Sequence, residues 1–120
     1  MTAGERLRIF VVEDEALLAL DLEDILVDLG HEVIAIAGST ELALEVLRDF
    51  DTPPDAAIVD ANLGGQSARP VVEALCALSV AVVLASGYGR ADLARLGFES
   101  PSIHKPYSSR DVAAALTSSL

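Results

Sequence analysis

At 120 residues and 52% hydrophobic content, the chain has the length of about one domain and enough apolar surface for a core. Eight basic residues against 19 acidic ones give a formal net charge of -11, a balance that repels polyphosphate backbones and disfavours a direct nucleic-acid reader without a separate basic module. No run of about twenty apolar residues occurs and MTAGERLRIF lacks an apolar leader core, which argues against a spanning helix or secretory signal and for a soluble, cytoplasmic protein with a protein partner.

The charge is uneven. Residues 1 to 60 hold 15 of the 19 acids and 3 of the 8 cations, a net of -12, whereas residues 61 to 120 carry +1. The lone cysteine, Cys76, permits no internal disulfide and sits in the apolar helical run VVEALCAL, where a thiol is expected to behave as a small hydrophobe.

Short β-branched runs alternate with helical patterns, as a parallel sheet with crossover helices requires. Arg8 to Val12 (RIFVV) reads as the first strand, followed by Glu13, Asp14 and Glu15. From about Ala16, Leu18, Leu22, Ile25, Leu26 and Leu29 share one helical face, and Gly30 is a natural C-cap. His31 to Ala37 reads as the second strand, and Gly38-Ser39-Thr40 supplies caps for a helix running to about Phe50.

Ala56 to Val59 form an apolar strand ending on Asp60, and Ala61-Asn62-Leu63-Gly64-Gly65 reads as a loop before a helix from about Ala68 to Leu78. Val80 to Ala85 is the fourth strand, ending at Ser86-Gly87-Tyr88-Gly89, whose glycines permit tight turns. A short helix near Arg90 to Leu96 follows. Ser102 to His104 is a brief fifth strand before Lys105-Pro106, and Ser108 with Asp111 forms a capping box for the last helix. The expected architecture is α/β with five strands and five helices, a tail over residues 1–7, one domain over 8–120 and no output domain.

In an open, doubly wound sheet, ligands bind where the loops part at the carboxyl ends of the strands. Those ends carry Glu13-Asp14, Asp60, Ser86 and Lys105, so three carboxylates, a hydroxyl and an ammonium converge on one edge. Packed carboxylates repel unless a hard, oxygen-preferring cation neutralises them, and Mg²⁺ is the expected one. With a phosphoryl donor held in line by such a cation, Asp60 can act as nucleophile, because phosphoryl transfer is mainly positioning and charge stabilisation. Lys105, the only lysine among eight cations, is a compact charge suited to a phosphoryl oxygen.

The ordered motifs VVEDE, IVDANL, LASGYG and HKPYS, spread over the chain, resemble those of the receiver domains of bacterial response regulators. The resemblance implies a flavodoxin-like parallel sheet with strand order 2-1-3-4-5. It implies that Asp60 is the phospho-acceptor and that Mg²⁺ is held by Asp14, Asp60 and the backbone carbonyl of Asn62, with Glu13 acting through water. Lys105 and Ser86 would contact the phosphoryl group, Pro106 would follow a cis bond, and the phosphate would come from a histidine kinase or phosphotransfer protein. With no output domain expected, the signal passes to a separate, unidentified protein partner, not to nucleic acid or membrane. The acidic first helix would contribute to kinase docking, with Arg90, Arg95 and Arg110 on the opposite, output side.

One departure bears on the switch. Receivers usually carry an aromatic three positions before the lysine, where this chain has Ser102. The chain is most similar to the stand-alone alphaproteobacterial regulators with Phe-Ala-Thr-Gly-x-Tyr at the end of the fourth strand, read here as Leu84-Ala85-Ser86-Gly87-Tyr88-Gly89. Tyr88 is therefore expected to take part of the aromatic role, with Gly87 and Gly89 letting the loop reorder on phosphorylation.

Other chemistries fit less well. A haloacid-dehalogenase-like phosphotransferase or phosphatase needs Asp-x-Asp, and Asn62 stands at the second position. His31, His104 and a remote Cys76 do not make a zinc site, Ser86-Gly87 is no nucleophile elbow, and the glycine spacing is not that of a dinucleotide fold. A phosphate sink or an inert pseudo-receiver that docks constitutively is the remaining alternative. The intact acid set and Lys105 argue against inertness but not against a sink, and enzyme activity beyond self-phosphotransfer and autodephosphorylation is not expected.

Overall fold

The computed structural model describes residues 6–86, 102–104 and 108–119. Its main sheet is built from β1 (Arg8–Val12), β2 (Glu32–Ala37), β3 (Ala56–Asp60), β6 (Ala81–Ser86) and β7 (Ser102–His104), in the order β2-β1-β3-β6-β7. Every pairing in it is parallel. A separate antiparallel ladder joins β4 (Asn62–Leu63) to β5 (Gln66–Ser67). The described helices are α1 (Ala16–Asp28), α2 (Thr40–Asp49), α3 (Arg69–Ala77) and α4 (Ser109–Ser119). The helix expected near Arg90 to Leu96 lies outside the described residues.

Because side chains alternate across a strand, each central strand feeds two cores. Phe10, Val12, Ala57, Val59, Val82 and Leu84 face one core, closed by Ala43 and Leu47 of α2 and Val71 and Leu75 of α3. Ile9, Val11, Ala56, Ile58, Val83 and Ala85 face the other, closed by Leu22 and Leu26 of α1 and Val112, Ala115 and Leu116 of α4. Among the described residues two helices cover each face, and burial on both faces is why the central strands read as unbroken apolar runs.

The β1 to β2 register shifts between Ile9, paired with Val33, and Phe10, paired with Ala35. Ile34 is the extra residue of a bulge. Without it, Val33 and Ala35 would face the same side; with it, Val33 packs in one core while Ala35 and Ala37 face the other. The bulge keeps Ala37 beside Val12, and the Glu13 amide then donates to the Ala37 carbonyl at 2.9 Å.

Local chemistry sets the helix ends. Gly30, at φ +93°, follows α1, and its N–H donates to Val27 O while the His31 N–H donates to Leu26 O, both at 2.9 Å, a Schellman closure. The same pattern ends α3 with Ser79 in the glycine position at φ +61°. The Ser39 hydroxyl caps α2 by accepting from the Leu42 N–H at 3.1 Å, and that of Ser108 caps α4 by accepting from the Asp111 N–H at 3.1 Å.

Two expectations are corrected. The Ala61–Gly65 segment is not simply a loop, because Asn62 and Leu63 form one arm of the β4–β5 hairpin. Gly64 and Gly65, at φ +59° and +88°, make the two-residue turn that favours two left-handed positions. Cys76 is exposed rather than packed as a small hydrophobe: α3 buries Val71 and Leu75 and turns Cys76 outward. Among the described residues no helix is long and apolar enough to cross a membrane.

Candidate functional site

The carboxyl edge of the sheet gathers the acids. Val12 pairs with Val59, so Glu13 and Asp60 stand next in register on adjacent parallel strands. Both are buried, at 3% and 4% exposure, whereas Asp14, one residue on, is exposed. Each of the three offers a carboxylate oxygen, and these oxygens lie within 4.8 Å of one another.

Taking an ionised carboxylate out of water costs several kcal/mol unless other groups offset it. Backbone donors supply part of that offset. The Asn62 N–H donates to Asp60 Oδ1 at 3.0 Å, the Glu15 N–H to Glu13 Oε2 at 3.2 Å, and the Gly64 N–H to Asp14 Oδ2 at 3.0 Å. Each fixes the orientation of its carboxylate, so the three acids are presented to one point rather than spread into solvent.

The β4–β5 hairpin follows Asp60 after one residue, and it is held at its base and tip. Ala61 N–H donates to Ala85 O at 3.0 Å, Ala68 N–H to Ala61 O at 3.3 Å, and Gly65 N–H to Asn62 Oδ1 at 2.9 Å, while Leu63 is buried in the core shared with α2 and α3. Two of the three carboxylates, Asp60 at the end of β3 and Asp14 in the segment after β1, therefore receive donors from one hairpin. The Gly64 contact is a site feature that sequence reasoning missed; the adjacent glycines after Asn62-Leu63 were its signal, since such a pair marks a two-residue hairpin turn.

Comparison with known proteins falls on the same class of fold. No family model matches the chain. SdrG from Sphingomonas melonis Fr1, known as a solution structure, is 36% identical, covering 99% of this chain and 98% of that one with a TM-score of 0.80. A response regulator receiver protein from Sinorhizobium medicae WSM419 is 26% identical, with 96% and 94% coverage and a TM-score of 0.80. The chain belongs to the response-regulator receiver family. Among curated sequences, the transcriptional regulatory protein PdtaR of Mycobacterium tuberculosis is 25% identical over 113 residues. That match takes in 91% of this chain and 54% of PdtaR, so the receiver spans about half the length of that relative.

In this receiver, the acids expected at the ends of the first and third strands come together, with Asn62 beside Asp60. Ser86 closes β6, where its backbone pairs with His104 of β7. Gly87, Tyr88, Lys105 and Pro106 lie outside the described residues, as does most of the loop on which the Phe-Ala-Thr-Gly-x-Tyr resemblance rests. His31 stands at the far, amino edge of the sheet, where Nδ1 accepts the Leu7 N–H at 3.1 Å, and it takes no part in the acid cluster.

Proposed function

We propose that this receiver is a phosphorylation switch in two-component signalling, with Asp60 as its phospho-acceptor. The observation that carries the reading is the burial of Asp60 at the carboxyl end of β3, within 4.8 Å of carboxylate oxygens of Glu13 and Asp14. An Asp60 carboxylate oxygen attacks the phosphorus of a phosphohistidine on a histidine kinase or phosphotransfer protein. A P–O bond forms as the P–N bond breaks, the electron pair returns to the imidazole nitrogen, which takes up a proton, and Asp60 becomes an acyl phosphate. The Asn62 N–H on Oδ1 holds the carboxylate plane for that attack.

The acid cluster fits Mg²⁺. An octahedral ion with bonds of about 2.0–2.1 Å spaces its ligand oxygens about 2.9–4.2 Å apart. Oxygens of all three acids within 4.8 Å of one another are close enough to share such an ion, and in this reading Asp14, Asp60 and the backbone carbonyl of Asn62 would hold it directly with Glu13 acting through water. When bound, the ion neutralises charge on the transferring phosphoryl oxygens. Lys105 and Ser86 take the remaining phosphoryl oxygens in this reading, Pro106 orients Lys105, and Gly87 and Tyr88 carry the change outward.

Partner docking follows from what α1 leaves exposed. Leu17, Leu20 and Val27 are exposed on α1 and interspersed with the exposed acids Asp21, Asp24 and Asp28, a mixed apolar and acidic surface close to Asp14 that suits a partner surface with basic residues. In this reading the switch signals through protein–protein contact, and its chemistry is its own phosphorylation and dephosphorylation.

Incubation of the chain with acetyl phosphate and Mg²⁺ tests the reading. It predicts phosphate that neutral hydroxylamine releases on wild type and none on Asp60→Asn. No incorporation by wild type sinks it, and rapid repeated release from many phosphate esters would instead favour an Asp-nucleophile phosphatase.

A further inference from the structure

The β4–β5 hairpin does more than follow Asp60. Its turn places the Gly64 N–H 3.0 Å from Asp14 Oδ2, a contact between residues fifty positions apart in sequence. Gly64 reaches it at φ +59°, where an L side chain is strained by about 1–2 kcal/mol. Space is not the constraint, since a Cβ at Gly64 would stand 3.9 Å from that same oxygen, an ordinary contact. What the position requires is the backbone conformation that aims the amide.

We propose that Gly64 is a positioning residue for the cation site: its N–H fixes the Asp14 carboxylate, so that closure of the β4–β5 turn and cation affinity are coupled. This rests on the Mg²⁺ reading above. Asp14 is the exposed member of the acid set, outside the packing that locks Glu13 and Asp60, so its rotamer depends on such a donor. The hairpin is a firm support, because Leu63 is 3% exposed and Gly65 N–H closes on Asn62 Oδ1 at 2.9 Å. One end of the hairpin thus holds Asp60 through Asn62 N–H and its turn holds Asp14, which ties together a carboxylate at the end of β3 and one in the segment that follows β1. Coupling runs both ways by linkage: a cation that binds the fixed carboxylate also stabilises the closed turn.

The test uses Mn²⁺ as the probe, with free Mn²⁺ read by electron paramagnetic resonance in titrations of the intact chain. Gly64→Val, which opposes the left-handed turn, is expected to weaken binding about ten-fold, at the low end for loss of an outer-sphere support. Gly64→Ala gives a smaller loss in the same direction and serves if the valine variant unfolds. Gly64→Asn, which tolerates the left-handed region and keeps the N–H, is expected to stay within about two-fold of wild type. In parallel, the Gly64 amide resonance shifts on Mg²⁺ addition and its hydrogen exchange slows. Wild-type affinity in both Gly64→Val and Gly64→Ala, or an amide insensitive to Mg²⁺ that binds, overturns the coupling while leaving the cation reading intact. Failure of wild type to bind Mn²⁺ overturns the cation reading and the coupling with it.

Discussion

Glu13 and Asp60 stand side by side at the ends of neighbouring parallel strands, one step beyond the Val12 to Val59 pair, and both are buried. Those two carboxylates, with Asp14 adjacent, put three acids around one point, the donor set that a hard divalent cation takes.

Divalent cation should therefore stabilise the folded chain. At a Mg²⁺ concentration one hundred times the dissociation constant, linkage gives about 2.7 kcal/mol, removed by a chelator. Thermal unfolding followed by circular dichroism with Mg²⁺ and with EDTA measures it, and Asp14→Ala should lose most of the difference. An Mg²⁺ effect of the same size in Asp14→Ala would place the ion elsewhere.

His31 makes stability depend on pH in a definite direction. Burial lowers its pKa below the ordinary 6.5, because the neutral ring is the form that fits, with Nδ1 accepting the Leu7 N–H. Below 6.5 the unfolded chain binds a proton that the folded chain resists. The His31 contribution is fully present above that pH and is lost as pH falls from 6.5 toward the lowered folded value. A His31→Asn variant, whose amide oxygen can accept the same N–H, should show a shallower loss between pH 7 and pH 5 in urea unfolding, those limits bracketing the ordinary histidine pKa of about 6.5. An unchanged slope, or a ring that titrates above 6.5 by NMR, contradicts this account.

The two Schellman closures offer a matched pair of substitutions. Ser79 holds φ +61° with a side chain, so Ser79→Gly should raise stability by about 1 kcal/mol. Gly30 holds φ +93°, and a Cβ added there would meet nothing within 4 Å, so Gly30→Ala should cost about 1 kcal/mol through backbone strain alone. Denaturant midpoints at constant m-value check both, and a loss on Ser79→Gly would mean that its hydroxyl matters more than its backbone.

At the amino edge, Arg8 ties β1 to the turn before β3. Its N–H donates to Asp55 Oδ2 at 2.8 Å, its guanidinium donates to Pro53 O at 3.0 Å, and Asp55 N–H returns to Arg8 O at 2.8 Å. Asp55→Ala should cost about 1 kcal/mol, near the usual net value of a hydrogen bond, without changing cation affinity. A fall in Mn²⁺ binding in Asp55→Ala would show that the two edges of the sheet are not independent.

Much of this was legible in the sequence. The β-branched runs gave every main-sheet strand within a residue or two because parallel strands buried on both faces leave an unbroken apolar signature, and Gly30, Ser39 and Ser108 marked helix ends through chemistry local to each cap. The acids could be placed together because strand ends share an edge. What stayed hidden depends on tertiary geometry. Which way Cys76 points is set by how α3 rolls on the sheet, the bulge at Ile34 by the need to put Val33 in one core and Ala35 and Ala37 in the other, and the Gly64 to Asp14 contact by two segments far apart in sequence.

The central claim, that Asp60 accepts the phosphoryl group, is met most directly by locating the bond. Borohydride reduces an aspartyl phosphate to homoserine, so treating the acetyl-phosphate-labelled chain and mapping its peptides by mass spectrometry should find homoserine at position 60 and nowhere else. Homoserine at position 14 or 55, or phosphate on a serine that survives neutral hydroxylamine, would contradict it.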